Sequence, residues 1–293
     1  KLAAHVGELM YDKGIGLVLF RNHLIDITIS EILNLHEYAR NVVQRPIDAF
    51  TTSELAEEIL KMELAPSKLD IGKLASEWLT EKEQYASKAE FLNIKLAGYT
   101  SSTSGDLEPR DVVLYGFGRI GRLAARELIK QAGKGQQLRL RAIVTRGSSD
   151  ADIIKRASLL RNDSVHGAFK GTVIEDLANK SLVINGQIVH MIDASNPEDI
   201  DYTQFGINNA LIIDNTGVFT NREQLSRHLQ AKGVSKVLLT APGKEVPNIV
   251  YGINQGTLDI ENENIFSAAS CTTNAISPIL KVVNDQFGVV KGH

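Results

Sequence analysis

The sequence predicts an α/β protein in which a doubly wound parallel sheet follows an all-α N-terminal region. In the first part of the chain, apolar side chains recur at helical spacing, whereas the later part alternates short apolar runs with helical patterns. A small, polar run at residues 100–106 separates the two parts. We therefore expect a helical extension over 1–99, a linker over 100–110 and a sheet-containing domain over 111–270.

The N-terminal region is predicted to be helical because its apolar residues repeat every three or four positions. Such series run over 24–39, 55–64 and 71–79, with polar residues between the apolar ones. Pro66 ends the second series, and Asp70 precedes the third as a candidate N-cap. The region shows neither the alternation nor the β-branched density of a sheet, so no strand is expected there.

Beyond the polar run, a strand, a helix and a second strand follow one another closely. Apolar runs at 112–115 and 138–145 are the expected strands, with the helix at 119–131 between them. This crossover unit is typical of parallel sheets, because parallel neighbours need a long connection. The later elements of the same sheet are two strands and a helix, at 210–213, 236–239 and 223–230.

Composition narrows the classes of function. The chain has 293 residues, of which 43% are hydrophobic and 23% charged, as in ordinary globular proteins with room for two domains. A net charge of −3 gives no support for nucleic-acid binding. The apolar run at 15–20 is far too short to span a membrane. The single cysteine, Cys271, excludes an intrachain disulfide or a multi-cysteine metal site and favours a reducing cytoplasm.

A glycine-rich turn directly follows the first strand of the sheet-containing domain. Gly116, Gly118 and Gly121 form the pattern G-x-G-x-x-G between that strand and the next helix. The first glycine permits a tight turn, the second lets a pyrophosphate approach the backbone, and the third packs helix against strand. Free N–H groups at the helix start attract that anion. The pattern predicts a Rossmann-type domain that binds NAD or NADP, and a purely structural turn is the alternative.

The residue after the second strand favours NADP. An acidic residue usually closes this strand and holds the adenosine ribose, but here Arg146 follows, with Ser148 and Ser149 close behind. A guanidinium beside hydroxyl groups suits a 2′-phosphate. In the alternative, Arg146 is solvated and Asp150 or Asp152 reaches the ribose. NADP preference and dual use of NAD and NADP both remain open at this point.

Cys271 lies where a strand is expected to end and a helix to begin. The helix dipole and free N–H groups at such a position stabilise a thiolate. Ser270 and Thr272 place hydroxyl groups on either side of the sulfur. This setting suits attack on a carbonyl group and formation of a covalent sulfur adduct. The alternative is a buried cysteine that acts as a small apolar residue.

Together, the glycine turn, the cysteine segment and three stretches between them resemble the glyceraldehyde-3-phosphate dehydrogenase family. They follow one another in the family's order, which makes the set more specific than any single motif. The resemblance covers residues 111–293, and the catalytic domain would begin at 271–293. The helical extension is similar to a longer bacterial branch. The segments are Gly-Phe-Gly-Arg-Ile-Gly-Arg at 116–122, Asn-Asp-Ser-Val-His-Gly at 162–167, Asn-Thr-Gly-Val-Phe at 215–219, Leu-Thr-Ala-Pro at 239–242 and Ala-Ser-Cys-Thr-Thr-Asn at 269–274.

The resemblance implies oxidation of glyceraldehyde 3-phosphate, with inorganic phosphate, to an acyl phosphate. Cys271 would add to the aldehyde, hydride would pass to NAD or NADP, and phosphate would release the thioester. Ser270 and Thr272 would help to bind the substrate or the attacking phosphate. The family also implies a homo-oligomeric parent protein whose partners are these small molecules. Together with the composition, this leads us to expect a cytoplasmic protein with no nucleic acid, membrane or metal.

The same resemblance assigns the remaining cofactor contacts. Arg119 and Ile120 would contact the dinucleotide backbone, and Thr216 and Thr240 would lie near the cofactor. The sequence departs from the family at Tyr115, where asparagine is usual, and at the arginine after the second strand, where aspartate is usual. The second departure counts against a preference for NAD.

In the family, a histidine that acts as the base follows the cysteine, and more residues separate the two than this sequence has after Cys271. His293 aligns before that position and is not assigned the role, and His166 is interpreted as structural. Most of the catalytic domain is therefore expected to be missing, and these residues alone should have little or no turnover. A general base typically contributes ~10²–10⁴-fold to the rate. The histidines without a supporting constellation in the sequence are His5, His23, His36, His190 and His228.

Two other functions fit part of the pattern. A dehydrogenase acting on erythrose 4-phosphate shares the cysteine signature, and residues of the substrate domain would separate the two enzymes. A non-catalytic nucleotide-binding or redox-sensing module would use Cys271 as a reactive thiol, although it would not require the whole Ser-Cys-Thr-Thr-Asn setting. The helical extension is either a module for dimerisation or partner docking, or a small bundle packed on the cofactor domain.

Overall fold

The computed structural model describes residues 1–20, 22–25, 27–99, 109–131 and 137–291. The described chain forms two compact units that divide between Pro109 and Arg110. Most of the predicted linker, residues 100–108, lies outside the described residues. Over the part that is described, no helix combines the length and the apolarity needed to cross a membrane.

The N-terminal helices predicted from the apolar series are confirmed in the first unit. Side chains cap several of them: Thr28 and Glu31 form a capping box before the second helix, and Asp70 accepts the Lys73 N–H at 3.0 Å. The N-cap role of Asp70 is thereby confirmed. The described helices of this unit are α1 (Leu2–Lys13), α2 (Ile29–Val43), α3 (Ala49–Lys61), α4 (Ile71–Glu81) and α5 (Lys88–Lys95).

The first unit is not all-α, however, because its described part also contains a small sheet. Strand β1 (Ile15–Leu19) pairs in parallel with β3 (Ser67–Asp70) and antiparallel with β2 (Asn22–His23). Its apolar residues are buried, so its backbone N–H and C=O groups cannot bond to water and need hydrogen-bond partners within the protein. The chain satisfies them through a partner strand some fifty residues away, which local periodicity could not reveal.

The second unit confirms the prediction of a Rossmann-type α/β fold. Its described residues contain an eight-stranded sheet in the order β13-β12-β11-β4-β5-β10-β9-β8. Neighbours from β13 to β10 are parallel, and β9 and β8 extend the sheet antiparallel. The eight strands are β4 (Arg110–Tyr115), β5 (Leu138–Thr145), β8 (Val173–Asp176), β9 (Ser181–Ile184), β10 (Gln187–Asp193), β11 (Ala210–Asp214), β12 (Val234–Leu239) and β13 (Ile265–Ser267). Strands β6 (Asn162–Asp163) and β7 (Gly167–Ala168) pair with each other in a separate two-stranded sheet.

Helices and loops cover both faces of this sheet. Alternate residues of β4 belong to two separate cores: Val112 and Leu114 pack on one face, and Val113 and Tyr115 pack on the other. Because β4 is buried on both faces, its sequence reads as a continuous apolar run. The described α-helices of this unit are α6 (Arg119–Lys130), α7 (Asp150–Arg161), α8 (Arg222–Ser226) and α9 (Cys271–Phe287).

The order of the strands reverses at β4. The chain continues from β4 to β5 on one side, whereas β11, which comes much later in the sequence, lies on the other side. A reversal of this kind opens a crevice beyond the carboxyl ends of the two central strands, where ligands bind in open α/β sheets. The turn after β4 and the turn after β11 therefore form the two walls of the candidate site.

Candidate active site

The glycine turn after β4 has a backbone that only glycine fits well. Gly116 has a φ of 94°, in the left-handed region. A Cβ atom added there would lie 3.1 Å from the backbone nitrogen of Thr216, and one added at Gly121 would lie 2.4 Å from the carbonyl oxygen of Gly116. The first glycine thus shapes the turn, and the third lets α6 pack closely against it.

The middle glycine has a different environment. Gly118 is the N-cap of α6, and no side chain caps the helix there. A Cβ atom added at Gly118 would meet no described atom within 4 Å. The start of the helix is therefore open, and its N–H groups and positive dipole end are available to an anion. The space beside this helix start fits the pyrophosphate of a dinucleotide.

A cavity of about 490 Å³ lies at this edge of the sheet. It contains three arginines, and no acidic residue is among the described residues that line it. It contains the predicted site residues Gly116, Gly118, Arg146 and Thr216, whereas Arg119, Ile120 and Thr240 are not part of its lining. The full lining is Tyr115, Gly116, Phe117, Gly118, Val144, Thr145, Arg146, Arg156, Ala194, Ser195, Asn196, Thr216, Val218, Phe219 and Arg227.

The carboxylates near Arg146 are engaged elsewhere. Asp150 pairs with Lys180 at 2.6 Å, and Asp152 accepts the Ser149 hydroxyl at 2.6 Å. That hydroxyl holds the pKa of Asp152 below its ordinary value. Neither carboxylate lines the cavity. Arg146 itself lines it, and its guanidinium makes no ion pair with any described residue.

The turn after β11 is organised by Asp214, whose side chain is fully buried. Its Oδ1 accepts the Thr216 N–H at 2.8 Å and the Thr216 hydroxyl at 2.7 Å. Its backbone carbonyl accepts both the N–H and the hydroxyl of Thr240, at 3.0 and 2.9 Å. Thr216 thus presents its backbone and methyl group to the crevice, and Thr240 ties the end of β12 to the end of β11.

His228 belongs to this arrangement, although no sequence pattern indicates a role for it. Its Nε2 lies 2.9 Å from Oδ2 of Asp214, and both side chains are buried. The imidazole also packs edge-on against Tyr115 and Phe219, with ring centroids 4.7 and 5.5 Å away. Asp214 lies fourteen residues earlier, on a different element. The pairing therefore leaves no local signal in the sequence.

Asp163 connects the stretch at 162–167 to the start of α6. Its Oδ1 accepts the N–H groups of His166 and Val165, at 3.0 and 2.9 Å, and contacts the His166 ring at 3.0 Å. These hydrogen bonds hold the pKa of the Asp163 carboxyl far below its ordinary value. Its Oδ2 lies 3.8 Å from Nε of Arg119 and 3.6 Å from Nη2 of Arg122. The exposed Arg119 is thereby held beside the glycine turn.

Cys271 is the first residue of α9, directly after the turn that follows β13. Ser270 is the N-cap, and its Oγ accepts the Thr273 N–H at 3.0 Å. The Ser270 hydroxyl also contacts the hydroxyls of Thr272 and Thr273, at 3.0 and 2.6 Å. The thiol is exposed, which argues against the alternative of a buried, inert cysteine.

The thiol and the glycine turn share one edge of the sheet. Strands β4, β11, β12 and β13 are successive parallel neighbours, so their carboxyl ends all lie at that edge. The edge thus combines an uncapped helix start, a guanidinium-rich cavity and a thiol at a second helix start. Over the described residues, no group of three or more His, Cys, Asp or Glu side chains is arranged to hold a metal ion.

Comparisons with known proteins agree with this geometry. Residues 110–222 match the family described as glyceraldehyde 3-phosphate dehydrogenase, NAD binding domain. A glyceraldehyde-3-phosphate dehydrogenase-like protein of Pseudomonas aeruginosa (strain UCBPP-PA14) is 43% identical over 292 residues, an alignment that covers 98% of this chain and 63% of that protein. The similarity therefore includes the N-terminal unit.

Shorter relatives match only the second part of the chain. The glyceraldehyde-3-phosphate dehydrogenase of Ajellomyces capsulatus is 36% identical over 181 residues, covering 62% of this chain and 50% of that protein. Glyceraldehyde-3-phosphate dehydrogenase 2 of Trichormus variabilis is 40% identical over 182 residues, covering 62% and 51%. The chain thus spans 63% of the length of the Pseudomonas relative and about half the length of the other two.

Proposed function

We propose that the protein oxidises a phosphorylated aldehyde to an acyl phosphate through a thioester on Cys271, starting from the match of residues 110–222 to the NAD binding domain of glyceraldehyde 3-phosphate dehydrogenase. The observation that carries the proposal is the position of the thiol. Cys271 begins a helix at the same sheet edge as the glycine turn. A dinucleotide held at that turn and a substrate carbonyl at the sulfur can therefore meet at one edge.

The helix start activates the sulfur. The first N–H groups of α9 and its positive dipole end favour the thiolate, which is the nucleophile. The thiolate adds to the aldehyde carbon, and the carbonyl oxygen takes a proton to give a thiohemiacetal. When bound, the nicotinamide cofactor supplies the acceptor for the hydride that this carbon loses, while the hydroxyl group gives up its proton to a base or to water and a thioester remains. A phosphate oxygen then attacks the thioester, the carbon–sulfur bond breaks, and the thiolate is regenerated as the acyl phosphate leaves.

The hydroxyls beside Cys271 are suited to the phosphate groups of this chemistry. Ser270, Thr272 and Thr273 form a small cluster of hydroxyls at the first turn of α9. The Ser270 oxygen accepts the Thr273 N–H, and because a hydroxyl that accepts keeps its own hydrogen, both Ser270 and Thr272 can donate to an anion. We assign substrate or phosphate binding to Ser270 and Thr272 on this basis.

Turnover also needs a base, and we expect these residues alone to have little. Within the described part of the chain, the Cys271 sulfur has no hydrogen-bond partner. A positioned general base typically contributes ~10²–10⁴-fold to a rate. The protein as a whole is proposed to act on small molecules in the reducing cytoplasm, where an exposed thiol stays reduced.

The thiol part of the proposal is tested by labelling Cys271, the only cysteine in the chain. In the intact protein, glyceraldehyde 3-phosphate should slow the reaction of Cys271 with iodoacetamide, because the aldehyde occupies the sulfur. The rate is measured by mass spectrometry, with glycerol 3-phosphate, which has no aldehyde, as the matched control ligand. An alkylation rate unchanged at high aldehyde concentration would support the redox-sensing alternative and exclude the enzyme.

For the cofactor, we propose NADP, or dual use of NAD and NADP. Two features of the cavity support this assignment. Arg146 lines the cavity without an ion-pair partner among the described residues, and the nearby Asp150 and Asp152 are engaged elsewhere. A carboxylate that would hold a ribose 2′-hydroxyl and repel a 2′-phosphate is missing from the described lining. Gly116, Gly118 and the open start of α6 would hold the pyrophosphate.

An Arg146→Asp variant should reverse this preference. NADP affinity should fall about tenfold or more, since a hydrogen bond to a charged group is worth about 1.5–3 kcal/mol, while NAD affinity should hold or rise. Calorimetric titration with each cofactor measures both. Lys155→Asp is the control, because Lys155 is exposed on α7 and outside the cavity but carries the same change in charge. Equal losses of NADP affinity in the two variants would show that Arg146 makes no specific contact.

A further inference from the structure

We propose that Asp214 and His228 form a buried positioning pair that sets the shape of the cofactor crevice. The pair lies beneath the cavity and contributes no atom to its lining. The pair acts through its neighbours, which do line the cavity. Asp214 holds Thr216, and His228 packs against Tyr115 and Phe219. The inference rests on the proposed function, because it concerns the same crevice.

Both side-chain oxygens of Asp214 have hydrogen-bond partners. Its side chain has no exposed surface, and Oδ1 accepts two hydrogen bonds from Thr216. The only contact of Oδ2 within the described structure is Nε2 of His228, at 2.9 Å. A buried charge without partners is very costly. His228 is therefore the group that satisfies the second oxygen of this buried carboxyl group under the crevice.

The imidazole of His228 has one polar contact and two aromatic ones. Its Nδ1 is buried and has no hydrogen-bond partner within the described structure. The contact with Oδ2 of Asp214 places a ring hydrogen on Nε2, because a carboxylate oxygen accepts and the ring nitrogen must donate. The ring lies edge-on to Tyr115 and Phe219, at interplanar angles of 80° and 71°. One hydrogen bond to Asp214 thus fixes the orientation of a ring that supports two residues of the cavity wall.

The Asp214 contacts also fix Thr216 against the glycine turn. The Thr216 hydroxyl donates its hydrogen to Asp214 and accepts the Val218 N–H at 3.1 Å, so it is held from both sides. A Cβ atom on Gly116 would lie 3.0 Å from the Thr216 methyl carbon. The two walls of the crevice are therefore in close contact at this point. A shift of Thr216 would move the glycine turn that holds the pyrophosphate.

Two substitutions of His228 test separately how its hydrogen bond and its ring contribute to cofactor binding. His228→Gln can keep a donor to Asp214 but loses the ring, whereas His228→Phe keeps a ring against Tyr115 and Phe219 but leaves Oδ2 of Asp214 unpaired. We expect the dissociation constant for NADP to rise about tenfold or more in His228→Phe and to stay within about threefold in His228→Gln. Calorimetric titration well below the melting temperature gives these constants for the 293-residue chain.

The melting temperature distinguishes a positioning role from a purely structural one. Both variants are expected to melt at lower temperature. A purely structural role would lower the melting temperature and leave the affinity of the folded protein unchanged, and that result would overturn the inference, as would a larger loss of affinity in His228→Gln than in His228→Phe.

If His228→Phe does not fold, Asp214→Asn provides the same test. Its amide would face the Nε2 hydrogen of His228 while its oxygen still accepted the Thr216 bonds. The inference predicts weaker NADP binding in this variant, and unchanged binding would overturn it. Binding by the unmodified chain is the reference: its complete absence would contradict the proposed function, whereas normal binding in both the unmodified chain and His228→Phe would contradict only the positioning role.

Discussion

Replacing Gly121 by alanine should destabilise the second unit markedly. An added Cβ atom would lie 2.4 Å from the carbonyl oxygen of Gly116, and this backbone atom cannot move without opening the turn. Alanine normally favours a helix over glycine by up to ~1 kcal/mol. Overpacking typically costs ~1–3 kcal/mol, so we expect the clash to outweigh the gain in propensity. The unfolding free energy should fall, and α6 should separate from the glycine turn.

Scanning calorimetry measures this effect without depending on the single tryptophan. Trp78 lies in the first unit, so its fluorescence does not report directly on the second unit. For a domain of this size, 1 kcal/mol corresponds to about 2–4 °C in melting temperature. Gly118→Ala is the matched control from the same turn, because its Cβ atom would meet no described atom. If the Gly121→Ala variant had the same melting temperature as the unmodified chain, α6 and the glycine turn would pack less tightly than described.

Gly118→Ala should have the complementary effect: normal folding and poor cofactor binding. Its φ of −72° suits alanine, and space is available for the methyl group. That space is where we expect the pyrophosphate to approach the start of α6. Losing one charge-assisted hydrogen bond there costs about 1.5–3 kcal/mol, or about 10–100-fold in affinity. Calorimetric titration with NADP measures the loss, and an affinity equal to that of the unmodified chain would place the pyrophosphate elsewhere.

Much of the second unit could be predicted because local sequence and final structure agree there. The strand at 138–145 begins and ends as the apolar pattern indicates. Gly116 and Gly121 each have a separate structural reason to be glycine, the space beside Gly118 is open, and the family resemblance is confirmed by the match over 110–222. Cys271 begins a helix because Ser270 is a good N-cap, which is itself visible in the sequence.

What could not be predicted depends on contacts between distant segments. Strand β1 pairs with β3 across more than forty intervening residues, and Ser67-Lys68-Leu69-Asp70 has no strand pattern of its own. The predicted helix from residue 24 begins instead at Ile29, because the Thr28 capping box fixes its start. The spacing of apolar residues alone does not distinguish a short buried strand from a buried helical turn.

The same limit applies to the candidate site. His228 lies beside Asp214 only because α8 and the following turn bring the chain back to the end of β11. Thr216 and Thr240 were predicted from the family resemblance to lie near the cofactor. In the structure, Thr216 lines the cavity, while Thr240 binds the backbone of Asp214 instead. Residues that line the cavity were thus easier to predict from the sequence than the buried groups that support them.

The rate at which Cys271 reacts with iodoacetamide, measured with and without saturating NADP, tests the account most directly. If the nicotinamide end of the cofactor lies beside the sulfur, NADP should change this rate at concentrations that match its binding curve. In Gly118→Ala the change should require correspondingly more NADP. An alkylation rate that stays constant while calorimetry shows NADP bound would separate the thiol from the cofactor crevice and contradict the proposed dehydrogenase.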